Sequence, residues 1–182
     1  GTHTLAGLTI LSYVAGLCAS KRTELYVTIE NPETIPLVTE TVQQAYGSYG
    51  VPFKQENVLF FGETYSWAAG VIGLAARQGI ASSIIAGGVA AQHTLVVEAL
   101  ARMGIMQVAG TARTAHIHFF FAIADYVLIG EELFAAGAYI SKQPSQLGTI
   151  SGQDFGKLLA IALGTIGVLL ITFGNRLIIN LM

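Results

Sequence analysis

The residues of this chain that could do chemistry stand mostly just past short apolar runs. Glu63, Gly87, Gly88, Gly110, Thr111, Arg113, Gly130, Glu131 and Glu132 occupy such places, as do Glu30, Asn31, Gly62 and Thr64. Backbone N–H groups in a glycine turn that opens a helix can hold an anion, and the Arg113 guanidinium would add charge. They form a candidate site for a small anionic ligand such as a nucleotide. The signal is coarse, because neither G-x-G-x-x-G nor G-x-x-x-x-G-K-[ST] occurs, and plain turn punctuation by glycine explains the same residues. Glu131 and Glu132 could do acid/base or metal work if Glu63 approached from a neighbouring strand. Two acids in a first helical turn equally oppose the helix dipole.

Other constellations are thinner. His116 and His118 form H-x-H, which shares a face on a strand but points to different sides of the helix expected there. With His93 on another helix, no metal site is assigned. Cys18 is the single cysteine, which excludes an intrachain disulfide framework, and its apolar surroundings suit a small core residue. G-x-S-x-G is absent, so no nucleophile is argued. No cofactor is expected, no catalytic residue is named, and the balance leans away from an enzyme.

Five β-branched or apolar runs supply a frame for these residues: Leu25–Ile29, Val58–Phe61, Ser83–Ala86, Met106–Ala109 and Tyr126–Ile129. Runs this short and apolar suit central parallel strands covered on both faces. Helices are predicted over Pro32–Tyr46, Tyr65–Gln78, Ala91–Met103, Ala115–Ala124 and Glu131–Ile140. Four strand candidates end in glycine followed by a helix start: Gly62-Glu63, Gly87-Gly88, Gly110-Thr111 and Gly130-Glu131. Repeated βα units of this kind predict a Rossmann-like α/β domain with a parallel sheet over residues 1–140. Its crevice would lie outside the carboxyl ends of the strands, where the strand order reverses. The opening Gly1-Thr2-His3-Thr4 echoes Gly110-Thr111-Ala112-Arg113-Thr114, which predicts a strand ahead of Gly1. Leu5–Ala19 then reads as a buried crossover helix in preference to a short membrane span.

Composition says what surrounds this frame. Of 182 residues, 53% are hydrophobic and 11% charged, against roughly 25% charged in soluble domains. Much of the surface must therefore face lipid or protein. The net charge of -2 and the lack of a basic block exclude the electrostatic footprint of nucleic-acid binding. Leu158–Gly174 carries no charge at all, and a span needs about 20 apolar residues. A C-terminal transmembrane helix is predicted over residues 155–182, with Arg176 snorkelling to one interface and a polar linker over 141–154. Phe119, Phe120 and Phe121, followed by Tyr126, suit a core or a partner contact. The excess of apolar surface predicts a homo-oligomer.

QVAGT (Gln107 to Thr111) and DYVLIGEELFAAGAYIS (Asp125 to Ser141), with the linker and apolar tail behind them, resemble an uncharacterised prokaryotic family of membrane-anchored proteins, a domain of unknown function. Gly110, Thr111, Tyr126, Gly130, Glu131, Glu132, Gly137 and Tyr139 carry the likeness. The resemblance implies a membrane location, in a prokaryotic cell membrane, and supplies no catalytic residue. The expected function is that of a membrane-anchored, self-associating structural or interaction protein, with membrane lipid and its own copies as partners. The alternative is a membrane-tethered binding or enzymatic domain for the small anionic ligand.

Overall fold

A computed structural model of the chain describes residues 2–141 and 144–172. Helix α1 (Thr2–Lys21) leads to strand β1 (Val27–Ile29), and a 3-10 turn at Pro32–Thr34 opens α2 (Ile35–Gly47). Then β2 (Val58–Phe60), α3 (Tyr65–Gln78), β3 (Ser82–Ala86), α4 (Ala91–Arg102), β4 (Met106–Thr111), α5 (Thr114–Ile123), β5 (Tyr126–Ile129) and α6 (Glu131–Ser141) alternate, and α7 (Pro144–Thr172) follows. All five expected strands form, and every strand pair is parallel. The fold is mixed α/β with parallel sheets. Among the described residues they number two, however, β1-β2 and β3-β4-β5, where one continuous sheet was expected. The chain divides into two compact units, residues 1–141 and 142–182.

In the first unit, side chains alternate across the β3–β5 sheet with the period of two that a pleat imposes. Ile85, Ala109 and Val127 meet Val97 of α4 and Phe120 of α5. Ala86 and Leu128 meet Ala6 and Ile10 of α1 and Leu133 of α6. Helices thus cover both faces, which is why these strands read as unbroken apolar runs. Trp67 and Ala68 of α3 pack with Val96 and Leu100 of α4, while Ala15 and Ala19 of α1 pack with Val42 and Tyr46 of α2. Helix α1 buries Ala6, Ile10, Ala15 and Ala19 and leaves Leu5, Tyr13 and Leu17 exposed, where a buried crossover helix was expected. The Ala86 carbonyl lies 3.1 Å from where a Cβ on Gly7 would stand, so α1 approaches β3 as closely as glycine permits.

Gly110 does not end its strand as expected. β4 continues through it to Thr111, and the site of a Gly110 Cβ lies 2.9 Å from Leu133 Cδ1. The glycine is there for close packing, and the turn comes later. Gly130 does end β5, with φ +56 and open space around its Cβ position. A β-branched residue is disfavoured there by the backbone alone. Gly130→Val should cost about 1–3 kcal/mol, read by chemical denaturation in detergent. Gly130→Asn should recover most of it, because Asn tolerates the left-handed region.

The second unit departs from expectation at its start. The polar stretch 141–154, drawn as a linker, is helical from Pro144 onward. Pro144 begins the helix, where its missing N–H costs nothing. Isolated glycines such as Gly148 and Gly152 each weaken a helix by about 1 kcal/mol without ending it. The described part of the predicted span stops at Thr172, and residues 173–182 lie outside the described residues. Among the described residues, one window passes the length and composition test for a membrane helix, and it is Thr4–Lys21 in α1.

Candidate functional site

The polar groups of the first unit concentrate where β1 ends beside the β3–α4 connection. Glu30, the residue after β1, accepts a hydrogen bond through Oε1 from the Thr64 N–H (3.1 Å) at the start of α3. The same oxygen accepts a short bond from Gln92 Nε2 of α4. Its Oε2 lies 3.4 Å from His93 Nε2. One carboxylate thus serves the first turns of two helices, where the dipole and unpaired N–H groups favour negative charge. It also joins the β1-β2 sheet to the β3-β4-β5 sheet. Thr64 pays a local cost for this, with φ 54 and ψ -115, outside the regions that a residue with a Cβ prefers.

His93 is held on both nitrogens. Nδ1 accepts the Ala90 N–H (3.1 Å) and so caps α4, which begins without Ser, Thr, Asp or Asn at that position. An acceptor at Nδ1 leaves the proton on Nε2, facing Glu30. The ring also packs on Trp67, with centroids 4.7 Å apart, and Trp67 is 5% exposed. Burial lowers the His93 pKa below its usual 6.5, with His116 and Arg113 acting in the same sense, while Glu30 opposes it. With both nitrogens engaged, the ring offers no free lone pair to a substrate and acts as a joint.

A pH dependence follows from this joint. The unfolded chain protonates His93 near its ordinary value of 6.5 and the folded chain only at lower pH. The folded state therefore binds fewer protons in that window, and stability falls as pH drops below about 6.5 toward the folded value. Above the window there is no effect. Urea midpoints on either side of it should differ for the native chain and converge for His93→Asn, which keeps an acceptor near Nδ1 but does not titrate.

The residues expected to bind a ligand are mostly engaged already. The Gly87 N–H donates to the Gly110 carbonyl (3.0 Å) and the Gly130 N–H to the Thr111 carbonyl (3.0 Å). Thr111 is fully buried, and its Oγ1 accepts the Arg113 N–H (3.1 Å) instead of capping a helix at its own position. Arg113 Nη1 donates to the Val89 carbonyl (3.2 Å), and Gly88 is exposed in the β3–α4 connection. Glu132 Oε2 accepts the Ile129 N–H (2.9 Å), and Glu131 opens α6 beside it. Glu63 follows β2, whose sheet is not that of β5. It does not stand on a strand neighbouring β5, the condition on which joint chemistry with Glu131 and Glu132 depended. Among the described residues, no group of three or more His, Cys, Asp or Glu could hold a metal ion. Trp67 and Gln92 were missed by sequence reasoning, and His93 was weighed there only as a metal ligand. The available signal was a helix start at Ala90 lacking a capping residue, with His93 three positions on.

Two cavities lie away from the strand carboxyl ends. One of ≈ 440 Å³ sits before β1 and β2, among Arg22, Glu24, Tyr46, Phe53 and Lys54. The other, ≈ 280 Å³, lies between α4 and α5, lined by Leu95, His116 and Phe119. Among known proteins, the family described as Domain of unknown function (DUF6754) matches residues 1–182. No curated protein and no solved structure matches the chain.

Proposed function

We propose that this chain, which belongs to the DUF6754 family, is a membrane-anchored α/β module that works by association with its own copies and not by turnover. The observation that carries this is the exposure of α7. From Phe155 to Leu169 its large apolar side chains are at least half exposed, Ile161 at 70% among them. Water strips no free energy from such a surface, whereas a bilayer does: each fully buried side chain of this kind is worth about 1.5–3 kcal/mol. In this reading α7 belongs to the C-terminal anchor in a prokaryotic cell membrane, and the first unit is a Rossmann-like frame. Phe119, Phe121 and Tyr126 are also exposed, around the edge strand β5, and offer apolar surface to a second copy.

The alternative, a small anionic ligand at Gly87, Gly110 and Glu131, is supported less. The donors that would greet an anion are engaged: the Thr64 N–H and the Gln92 amide by Glu30, and the Gly87 and Gly130 N–H groups by main-chain carbonyls. Mass measurement of the detergent-solubilised full chain tests the association. A defined multimer that survives dilution is expected, and Phe121→Ser with Tyr126→Ser should weaken it. A monodisperse monomer at all concentrations would reject it.

A further inference from the structure

We propose that the hollow before β1 and β2 is a binding site for a small aromatic carboxylate, with Arg22 as the residue that holds the acid group. The chain departs from its own repeat at this place. Helices α1, α2 and α4 end in the same hydrogen-bonded turn: Arg22 N–H donates to Ala19 and Thr23 N–H to Cys18, Gly50 to Gly47 and Val51 to Tyr46, Gly104 to Ala101 and Ile105 to Leu100. The residue that reverses the chain is left-handed each time, with φ 53 at Arg22, 65 at Gly50 and 71 at Gly104. Gly79, at the end of α3, has φ 60. Glycine adopts this conformation without steric cost, and arginine does not. The Cβ positions of Gly50, Gly79 and Gly104 face open space, so backbone conformation alone selects glycine there. In the equivalent place after α1 stands a strained arginine, and it lines the cavity of ≈ 440 Å³.

A second departure faces the first. Connections 79–81, 103–105 and 124–125 run directly from a helix to the next strand, whereas 48–57 is a long excursion, beyond the about 2–6 residues usual for such loops. It brings Pro52, Phe53 and Lys54 to the cavity. The Phe53 ring stands 4.9 Å from that of Tyr46, tilted by 57°, and Leu25 and Val51 extend this apolar wall. The charges around it are unequal. Glu24 Oε1 accepts from Lys54 Nζ and Asn57 Nδ2, both at 3.4 Å, and Asn57 and Lys54 hold its carboxyl below the usual range. Its charge is thus answered within the wall. Arg22 is exposed, and among the described residues no ion pair includes it. The volume falls within the about 300–1,000 Å³ of small-molecule sites. The two rings suit a flat apolar body, and a guanidinium recognises a carboxylate through two parallel N–H donors.

The site lies within the first unit and does not depend on how the chain meets a membrane. Its test is photolabelling of the detergent-solubilised full chain with 4-benzoylbenzoate, followed by mass mapping of the labelled peptides. Label is expected in 22–25 and 46–57, and the uncharged methyl ester of the probe should label these segments about ten-fold less, because it offers no charge-assisted hydrogen bond. Arg22→Gly separates the side chain from the backbone. Its urea midpoint should be no lower than that of the native chain, since glycine suits the left-handed turn, while labelling by the acid falls about ten-fold, to the level of the ester. Arg22→Lys keeps the charge without the fork and should fall between. Phe53→Ala should weaken labelling by acid and ester alike. Acid labelling that Arg22→Gly leaves unchanged, or that falls outside both segments in the native chain, would overturn the proposal. So would a lower midpoint for Arg22→Gly accompanied by equal loss of acid and ester labelling, which would show that Arg22 serves the fold alone.

Discussion

Phe120→Ala is expected to lower the unfolding free energy by about 3–5 kcal/mol, while Phe121→Ala one residue along should change it by no more than about 0.5 kcal/mol. Phe120 is 0% exposed and Phe121 71% exposed. The former packs with Val89, Val97 and Ala109 under the β3–β5 sheet. Removing its ring leaves a cavity that three elements border and none can easily fill. The latter meets solvent in the single chain and should matter only to association. Trp67 is the only tryptophan and is buried in a different cluster, so its emission reports global unfolding without direct contact with either ring. Equal losses for the two alanine variants would contradict the assignment of faces on α5.

Glu30→Ala should cost about 1–3 kcal/mol, the penalty for leaving its hydrogen-bonded donors unsatisfied. The Thr64 N–H, the Gln92 amide and His93 Nε2 all lose their shared acceptor. Relaxation of Thr64 from its positive φ offsets part of the loss. Trp67 emission should shift to the red even in the folded state, because its neighbour His93 is freed to move. Glu30→Gln retains an acceptor oxygen and should fall between the two. A Glu30→Ala chain as stable as the native one, with unchanged emission, would show that the two sheets are joined by packing alone.

The frame was legible because its signals are local and periodic. The runs from Val58, Ser83 and Tyr126 are apolar and short, and glycine marks the turn after β5 with the positive φ expected of it. The division into two sheets was not legible, since it depends on which strands pair at long range and not on what each strand contains. The helix beginning at Pro144 was not legible, because the serines and glycines there suggest a loop although a helix tolerates them. At the site, Glu30 was visible as a strand-end acid, but its role was not. Its partners Gln92 and His93 are 62 and 63 positions away (92 - 30 and 93 - 30), and no spacing rule connects them. Gly110 looked like a turn glycine because sequence gives the absence of a side chain and not the reason, which here is Leu133 overhead.

In the proposed reading the second unit holds the chain in a bilayer, and alkaline washing followed by vesicle flotation tests this most directly. The full chain, reconstituted in lipid vesicles, should stay with the floating lipid after the wash. Ile161→Arg with Val168→Arg, each expected to cost about 2.5–3.5 kcal/mol at the centre of a span, should release it to the dense aqueous fraction. Recovery of the native chain as a soluble species after the wash, or flotation unchanged by the two arginines, would contradict the account.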